Sequence, residues 1–206
     1  MPDGSGDGLP EGTGSSAAVS AGVGDGAPDS VGDDVGDDVG GSVAGPGARE
    51  LVTEIIGLLT AAGRTVAAAE SLTGGLVAAA LTDVPGSSNA FRGGVVAYAT
   101  ELKGQLLGVD AGVLARHGPV YAPVAAAMAE GVRHRLGATV GIATTGVAGP
   151  GSQDGHPAGT VHIAVSLDGD TVVRTMALAG TRDEVRRLTV ERVLGLLLGR
   201  LREECP

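Results

Sequence analysis

TVAAAESLTGGLVAAAL, residues 65–81, decides the fold. Residues 65–69 are a short apolar run of strand length, and residues 73–81 are small and apolar, as in a buried helix. Val84-Pro85-Gly86 then marks a turn. A strand passing into a helix within so few residues predicts an α/β layering. Outward from it, residues 50–62 set Leu51, Ile55, Leu58 and Leu59 on one face of an amphipathic helix that stops near Gly63. Residues 94–98 read as a second strand, 101–107 and 123–136 as helices, and 139–144 as a third strand. Residues 146–159 are a loop with five glycines and two prolines. Residues 161–167 and 171–178 form a hairpin around Asp168-Gly169-Asp170. The chain closes on a long helix over 181–201, where Thr181 and Glu184 make a capping box. Helices interleaved with strands, plus one hairpin, predict a three-layer α/β/α sandwich with a mixed sheet.

This domain is expected to occupy residues 48–206, with residues 1–47 as a disordered Gly/Asp-rich tail. Of the net charge of −10, residues 1–48 carry −9, through eight Asp and one Glu with no Lys or Arg. Their 14 glycines and isolated Val and Ala show neither helical nor strand period. Such a segment cannot bury enough surface to offset ~1–2 kcal/mol of backbone entropy per residue. The tandem Val31-Gly32-Asp33-Asp34, Val35-Gly36-Asp37-Asp38 lacks the ligand spacing and closing Glu of a calcium loop. The apolar residues are mostly Ala, Val and Leu, because only Phe91, Tyr98 and Tyr121 are aromatic. A single cysteine, Cys205, excludes a disulfide framework or a Cys-based metal cage within one chain. No apolar run approaches the ~18 residues of a membrane span, and the first residues given show neither the basic start nor the apolar core expected of a signal peptide. A cytoplasmic setting is expected. The near-neutral domain and acidic tail offer no electrostatic footprint for nucleic acid.

Familiar catalytic motifs are mostly absent: no Walker A, no G-x-S-x-G, no His-Glu-x-x-His. The histidines 117, 134, 156 and 162 lack metal-ligand spacing, and His117 and His134 read as helix-end or surface residues. Polar residues at strand ends remain. Ser71 follows a strand and opens a helix, so its hydroxyl is expected beside free N–H groups, with Thr73, Gly74 and Gly75 allowing close ligand approach. An ordinary capping hydroxyl would look the same. Tyr98 leaves the second strand, and Lys103 falls in the next helical turn; a lysine buried there loses its proton and can act as a base. Thr145 and Gly146 end the third strand in the glycine-rich loop. Arg182, Arg186 and Arg187 open the last helix against its macrodipole, which asks for an anionic partner.

The strings AESLTGGLVAAALTDVPGSSNAFRGGVVAYATELKGQLLGV and TTGVAGPG…GTVHIAV resemble the C-terminal domain family of the competence-damage protein CinA, the nicotinamide-nucleotide amidohydrolases. The resemblance covers residues 48–202 in order. It implies an α/β/α domain that hydrolyses the carboxamide of nicotinamide mononucleotide to nicotinate mononucleotide and ammonia, without metal or cofactor. By position it implies Ser71 as nucleophile, with Tyr98 and Lys103 as the other catalytic groups. Thr73, Gly74, Gly75, Thr145, Gly146, Arg182 and Arg186 are the implied substrate contacts. Lys103 or Tyr98 takes the serine proton, the N–H groups near residues 73–75 or Gly146 hold the oxyanion, and Arg182 or Arg186 binds the phosphate. Larger relatives carry a molybdopterin-binding-like domain upstream; the acidic tail stands there instead, so the stand-alone form is expected, as a homo-oligomer with a dimer favoured. Many relatives read Tyr-Ser-Asn at Tyr98-Ala99-Thr100 and Ser at Tyr121, departures that bear on substrate preference. Two alternatives stay open: a nucleotide-binding module without turnover, and an amidase for another small amide. The catalytic expectation requires residues 71, 98 and 103 to meet in one cleft.

Overall fold

The structure is a computed structural model that describes residues 46–204. Expectations for most of the Gly/Asp-rich segment and for Cys205 lie outside the described residues. Among the described residues, six helices and five strands follow in the order α1 (Pro46–Ala61), β1 (Val66–Glu70), α2 (Leu76–Thr82), β2 (Phe91–Val96), α3 (Thr100–Leu107), α4 (Ala111–His117), α5 (Ala122–Arg135), β3 (Val140–Gly146), β4 (Thr160–Leu167), β5 (Asp170–Ala177) and α6 (Arg182–Glu204). A single 3₁₀ turn, Ser87–Asn89, precedes β2.

The sheet has the order β2-β1-β3-β4-β5. β1 pairs parallel with both β2 and β3, while β3–β4 and β4–β5 are antiparallel, so the sheet is mixed. The side-chain period of two sorts the core. Val66, Ala68, Val140, Ile142, Ile163 and Val165 face α1, α2 and α6. Ala67, Ala69, Ala143 and Ala164 face α5 and the Leu107 end of α3. The expected α/β/α sandwich is therefore the observed one.

Small residues on the α5 side let backbones approach where few aromatics are available to fill space. A Cβ on Gly141 of β3 would lie 2.0 Å from Ala129 O, and one on Gly131 of α5 would lie 1.9 Å from Leu107 O. Both positions are therefore closed to any side chain.

Four element expectations need adjustment. β2 runs Phe91–Val96 rather than 94–98, so Tyr98 lies two residues past the strand. α1 begins four residues early because its apolar face starts at Ala48, and the buried set is Ala48, Val52, Ile55, Ile56 and Leu59, with Leu51 and Leu58 only partly buried. α2 begins at Leu76, since Gly74 and Gly75 adopt φ of +58° and +100° and extend the turn. α4 was not expected from sequence: its seven residues bury none fully, so no apolar period marks it, and only the Asp110 cap on Val113 N–H (2.8 Å) signals its start. Among the described residues no helix is long and apolar enough to cross a membrane.

β1 is followed by α2 on one face, and β2 by α3, α4 and α5 toward the other. The carboxyl ends of β1, β2 and β3 thus border a crevice where strand order reverses, the usual ligand position in open α/β sheets.

Candidate active site

Ser71 stands one residue beyond β1. Its N–H donates to Thr144 O at 3.0 Å, which extends the β1–β3 ladder, and its carbonyl accepts from Gly74 N–H at 3.1 Å, which closes a tight turn. Lys103 reaches the same point from α3. Its Nζ lies 3.2 Å from Ser71 Oγ and donates to Ala97 O at 2.8 Å. The chain has one lysine among its 14 Lys and Arg residues, and that lysine is 1% exposed. Burial pushes its amine down from 10.5 to about 8, against a smaller upward pull from the Glu101 carboxylate. Roughly a tenth of the population is then neutral at pH 7, against almost none for a solvated lysine.

Ser71, Tyr98 and Lys103 all line one cleft, with Leu72, Thr100, Pro119, Val120, Thr145, Gly146, Ala148, Gln153 and Arg182. The convergence expected from sequence is present. Tyr98, however, is 58% exposed, and its hydroxyl accepts from Arg182 Nη2 at 3.0 Å rather than meeting Ser71. Arg182 also donates from Nη1 to Gly149 O at 2.9 Å, which ties α6 to the glycine-rich loop. The proton acceptor in hydrogen-bond reach of Ser71 is Lys103.

Thr145 is fully buried in the cleft wall, its Oγ1 donating to Pro119 O at 2.8 Å. Gly146 lines the cleft too, but its lack of a side chain answers to the neighbouring strand: a Cβ would lie 2.4 Å from Thr160 O. Behind this wall, His162 pairs with Thr145 across β3–β4, and its Nδ1 shares a hydrogen bond with Thr175 Oγ1 at 2.9 Å. Burial lowers its pKa, with His156 adding to the effect and the Val120 backbone opposing it. His117 ends α4 and stacks on Tyr121, ring centroids 4.4 Å apart.

Four expected substrate contacts lie elsewhere. The start of α2 is not free: the Glu70 carboxylate, 1% exposed, accepts from Gly75 N–H (2.9 Å), Val77 N–H (3.1 Å) and Ala78 N–H (2.9 Å). A carboxylate already fills the anion site that the macrodipole creates there. Gly74 and Gly75 form a left-handed turn and do not line the cleft. Thr73 is fully buried, its hydroxyl 2.7 Å from Thr144 Oγ1. Arg186 donates to Leu72 O (3.0 Å) and Thr73 O (2.7 Å), outside the cleft. Arg187 finds its anion in Asp183, 3.0 Å away on the same helix. Of the three arginines, only Arg182 reaches the cleft.

Of the cleft lining, the sequence offers no pointer to Pro119, Val120 and Gln153. Most belong to loops with no period to read. The strongest missed signal was compositional, the lone lysine in a chain that otherwise uses arginine.

The CinA C-terminal domain family model matches residues 48–201. A CinA-like protein of Frankia casuarinae is 54% identical over 143 residues, which is 69% of this chain and 33% of that protein. One from Gloeobacter violaceus is 48% identical over 150 residues, 71% of this chain and 35% of its own length. The chain thus spans about a third of the length of the curated relatives it matches. Among solved structures, the competence damage-inducible protein A of Klebsiella pneumoniae superposes with a TM-score of 0.73 at 37% identity, covering 75% of this chain and 96% of that one. The competence/damage inducible protein CihA of Agrobacterium tumefaciens gives 0.72 at 37% identity, covering 74% and 94%.

Proposed function

Because this chain belongs to the CinA C-terminal domain family, we propose that it hydrolyses the carboxamide of nicotinamide mononucleotide to nicotinate mononucleotide and ammonia. The observation that carries the proposal is the buried Lys103 amine at 3.2 Å from Ser71 Oγ, with its proton affinity lowered to about 8. A cationic lysine donates to the serine oxygen. A neutral one offers its lone pair across the same contact while one N–H stays on Ala97 O, so it can take the serine proton as Oγ attacks the carboxamide carbon. The tetrahedral intermediate then collapses: the C–N bond breaks, the proton held on Lys103 passes to the leaving nitrogen, and ammonia departs. Water, deprotonated by the same amine, releases the acid from the Ser71 ester. Arg182, on the exposed rim with Tyr98, supplies the cation for the 5′-phosphate. Retention of a desolvated amine beside a serine favours turnover over a binding module, which would gain nothing from that arrangement.

An ammonia-release assay on nicotinamide mononucleotide tests this. Wild type is expected to turn over and folded Ser71→Ala to be silent; tight binding without ammonia would favour the non-catalytic module. Comparison with the amides of other pyridine nucleotides would expose a different small-amide substrate.

A further inference from the structure

We propose that Arg186 is a positioning residue that builds the oxyanion site by clamping the turn after Ser71; this rests on the amide-hydrolase function proposed above. Arg186 is half-buried in α6 and makes no ion pair among the described residues. Two N–H groups of its planar fork, Nε and Nη2, hold two consecutive carbonyls, Leu72 O at 3.0 Å and Thr73 O at 2.7 Å.

A planar trans peptide points its N–H opposite to its C=O. Drawing Leu72 O and Thr73 O toward α6 therefore turns the N–H groups of Thr73 and Gly74 away from α6. Gly74 N–H is taken by Ser71 O at 3.1 Å, and that bond in turn fixes the peptide joining Ser71 to Leu72. The N–H of that peptide belongs to Leu72, which lines the cleft and is 4% exposed. Among the described residues it donates to no protein acceptor. A buried N–H without a partner is rare, and this one sits on the residue next to the nucleophile.

The α2 N–H groups cannot take this part, since Glu70 occupies three of them. Thr73 N–H, on the peptide whose carbonyl Arg186 Nε holds, also donates to no protein acceptor among the described residues. Of the two residues it is Leu72 that lines the cleft, so Leu72 N–H is the donor at hand where the carboxamide oxygen gains charge once Ser71 Oγ attacks. Arg186 touches no reacting atom; it fixes the peptide planes that aim this donor.

The test compares wild type, Arg186→Lys and Arg186→Ala in the full chain. The readouts are kcat and KM for nicotinamide mononucleotide and for its phosphate-free riboside, with Ser71 acylation by p-nitrophenyl acetate measured in parallel. Loss of one oxyanion donor lowers kcat about 10²–10³-fold. That loss is expected in both variants and on both substrates, with KM within about twofold and acylation slowed to match. Guanidinium ion at non-denaturing concentration is expected to restore Arg186→Ala in part, and ammonium not to. Unchanged kcat in Arg186→Lys, which keeps the charge and is the safer folder, would overturn the proposal. So would a loss confined to KM of the phosphorylated substrate, which would make Arg186 a phosphate ligand. Wild type silent on the nucleotide yet acylated by the ester would reject the proposed substrate and leave the clamp measurable. No acylation of wild type would reject both.

Discussion

Replacing Lys103 by Met should make this protein more stable and nearly inactive. In the folded chain the amine titrates at about 8 instead of 10.5, because burial strips its water. At about 1.4 kcal/mol per pKa unit, holding the charged form inside costs roughly 3 kcal/mol below pH 8. Between about pH 8 and 10.5 the unfolded chain keeps the proton that the folded chain has released. The unfolded state then binds more protons, so stability rises with pH, by up to ~1.4 kcal/mol per pH unit. Methionine removes the charge with similar volume but leaves Ala97 O without its donor, a loss of about 1–2 kcal/mol. A net gain of ~1–2 kcal/mol is therefore expected at pH 7, shrinking toward pH 10. Urea unfolding of wild type and Lys103→Met from pH 7 to 10 reads this directly, and with no second lysine in the chain the comparison isolates one amine. Activity is expected to fall by at least ~10²-fold with loss of the base. Equal midpoints with parallel pH slopes would show that the amine is not desolvated, and the base assignment would fall with it.

Wild-type kcat/KM should rise with pH through an apparent pKa near 8 and then level, as Lys103 loses its proton; a rate independent of pH from 6 to 9 would contradict this. Glu70→Gln removes the carboxylate that holds three α2 N–H groups and is expected to lower stability by about 1–3 kcal/mol in urea melts. Gly131→Ala drives a methyl into Leu107 O and should destabilise by ~3 kcal/mol, while Gly112→Ala, half-buried and facing only the side-chain ends of Arg116 and Asp110, should not approach that loss.

Strand and helix order was legible because each element carries its own period: β1 and β3 read as short apolar runs, and α6 declares its start through the Thr181–Glu184 box, observed at 2.7 Å from Thr181 N–H to the carboxylate. α4 was not legible, because a surface helix of seven residues needs no apolar face. At the site, Ser71, Tyr98 and Lys103 could be singled out because the ends of parallel strands β1, β2 and β3 feed one crevice. Their division of labour was hidden. Whether a phenol or an amine faces Ser71 depends on side-chain direction, and Tyr98 turns outward to Arg182. Thr73, Gly74 and Gly75 lie outside the cleft lining for one reason, and Arg186 for another, its place on the α6 face that reaches Leu72 O and Thr73 O. A glycine pair at a helix start looks the same whether it admits a ligand or only a left-handed turn, and the preceding glutamate gave no warning that it folds back onto the helix.

Rapid acid quench of the enzyme with excess nicotinamide mononucleotide, followed by peptide mass analysis, tests the central chemistry most directly. The expected result is an adduct equal to nicotinate mononucleotide less one water on the peptide bearing Ser71, absent from Ser71→Ala. Ammonia release with no such adduct, persisting in Ser71→Ala, would contradict a serine nucleophile activated by Lys103.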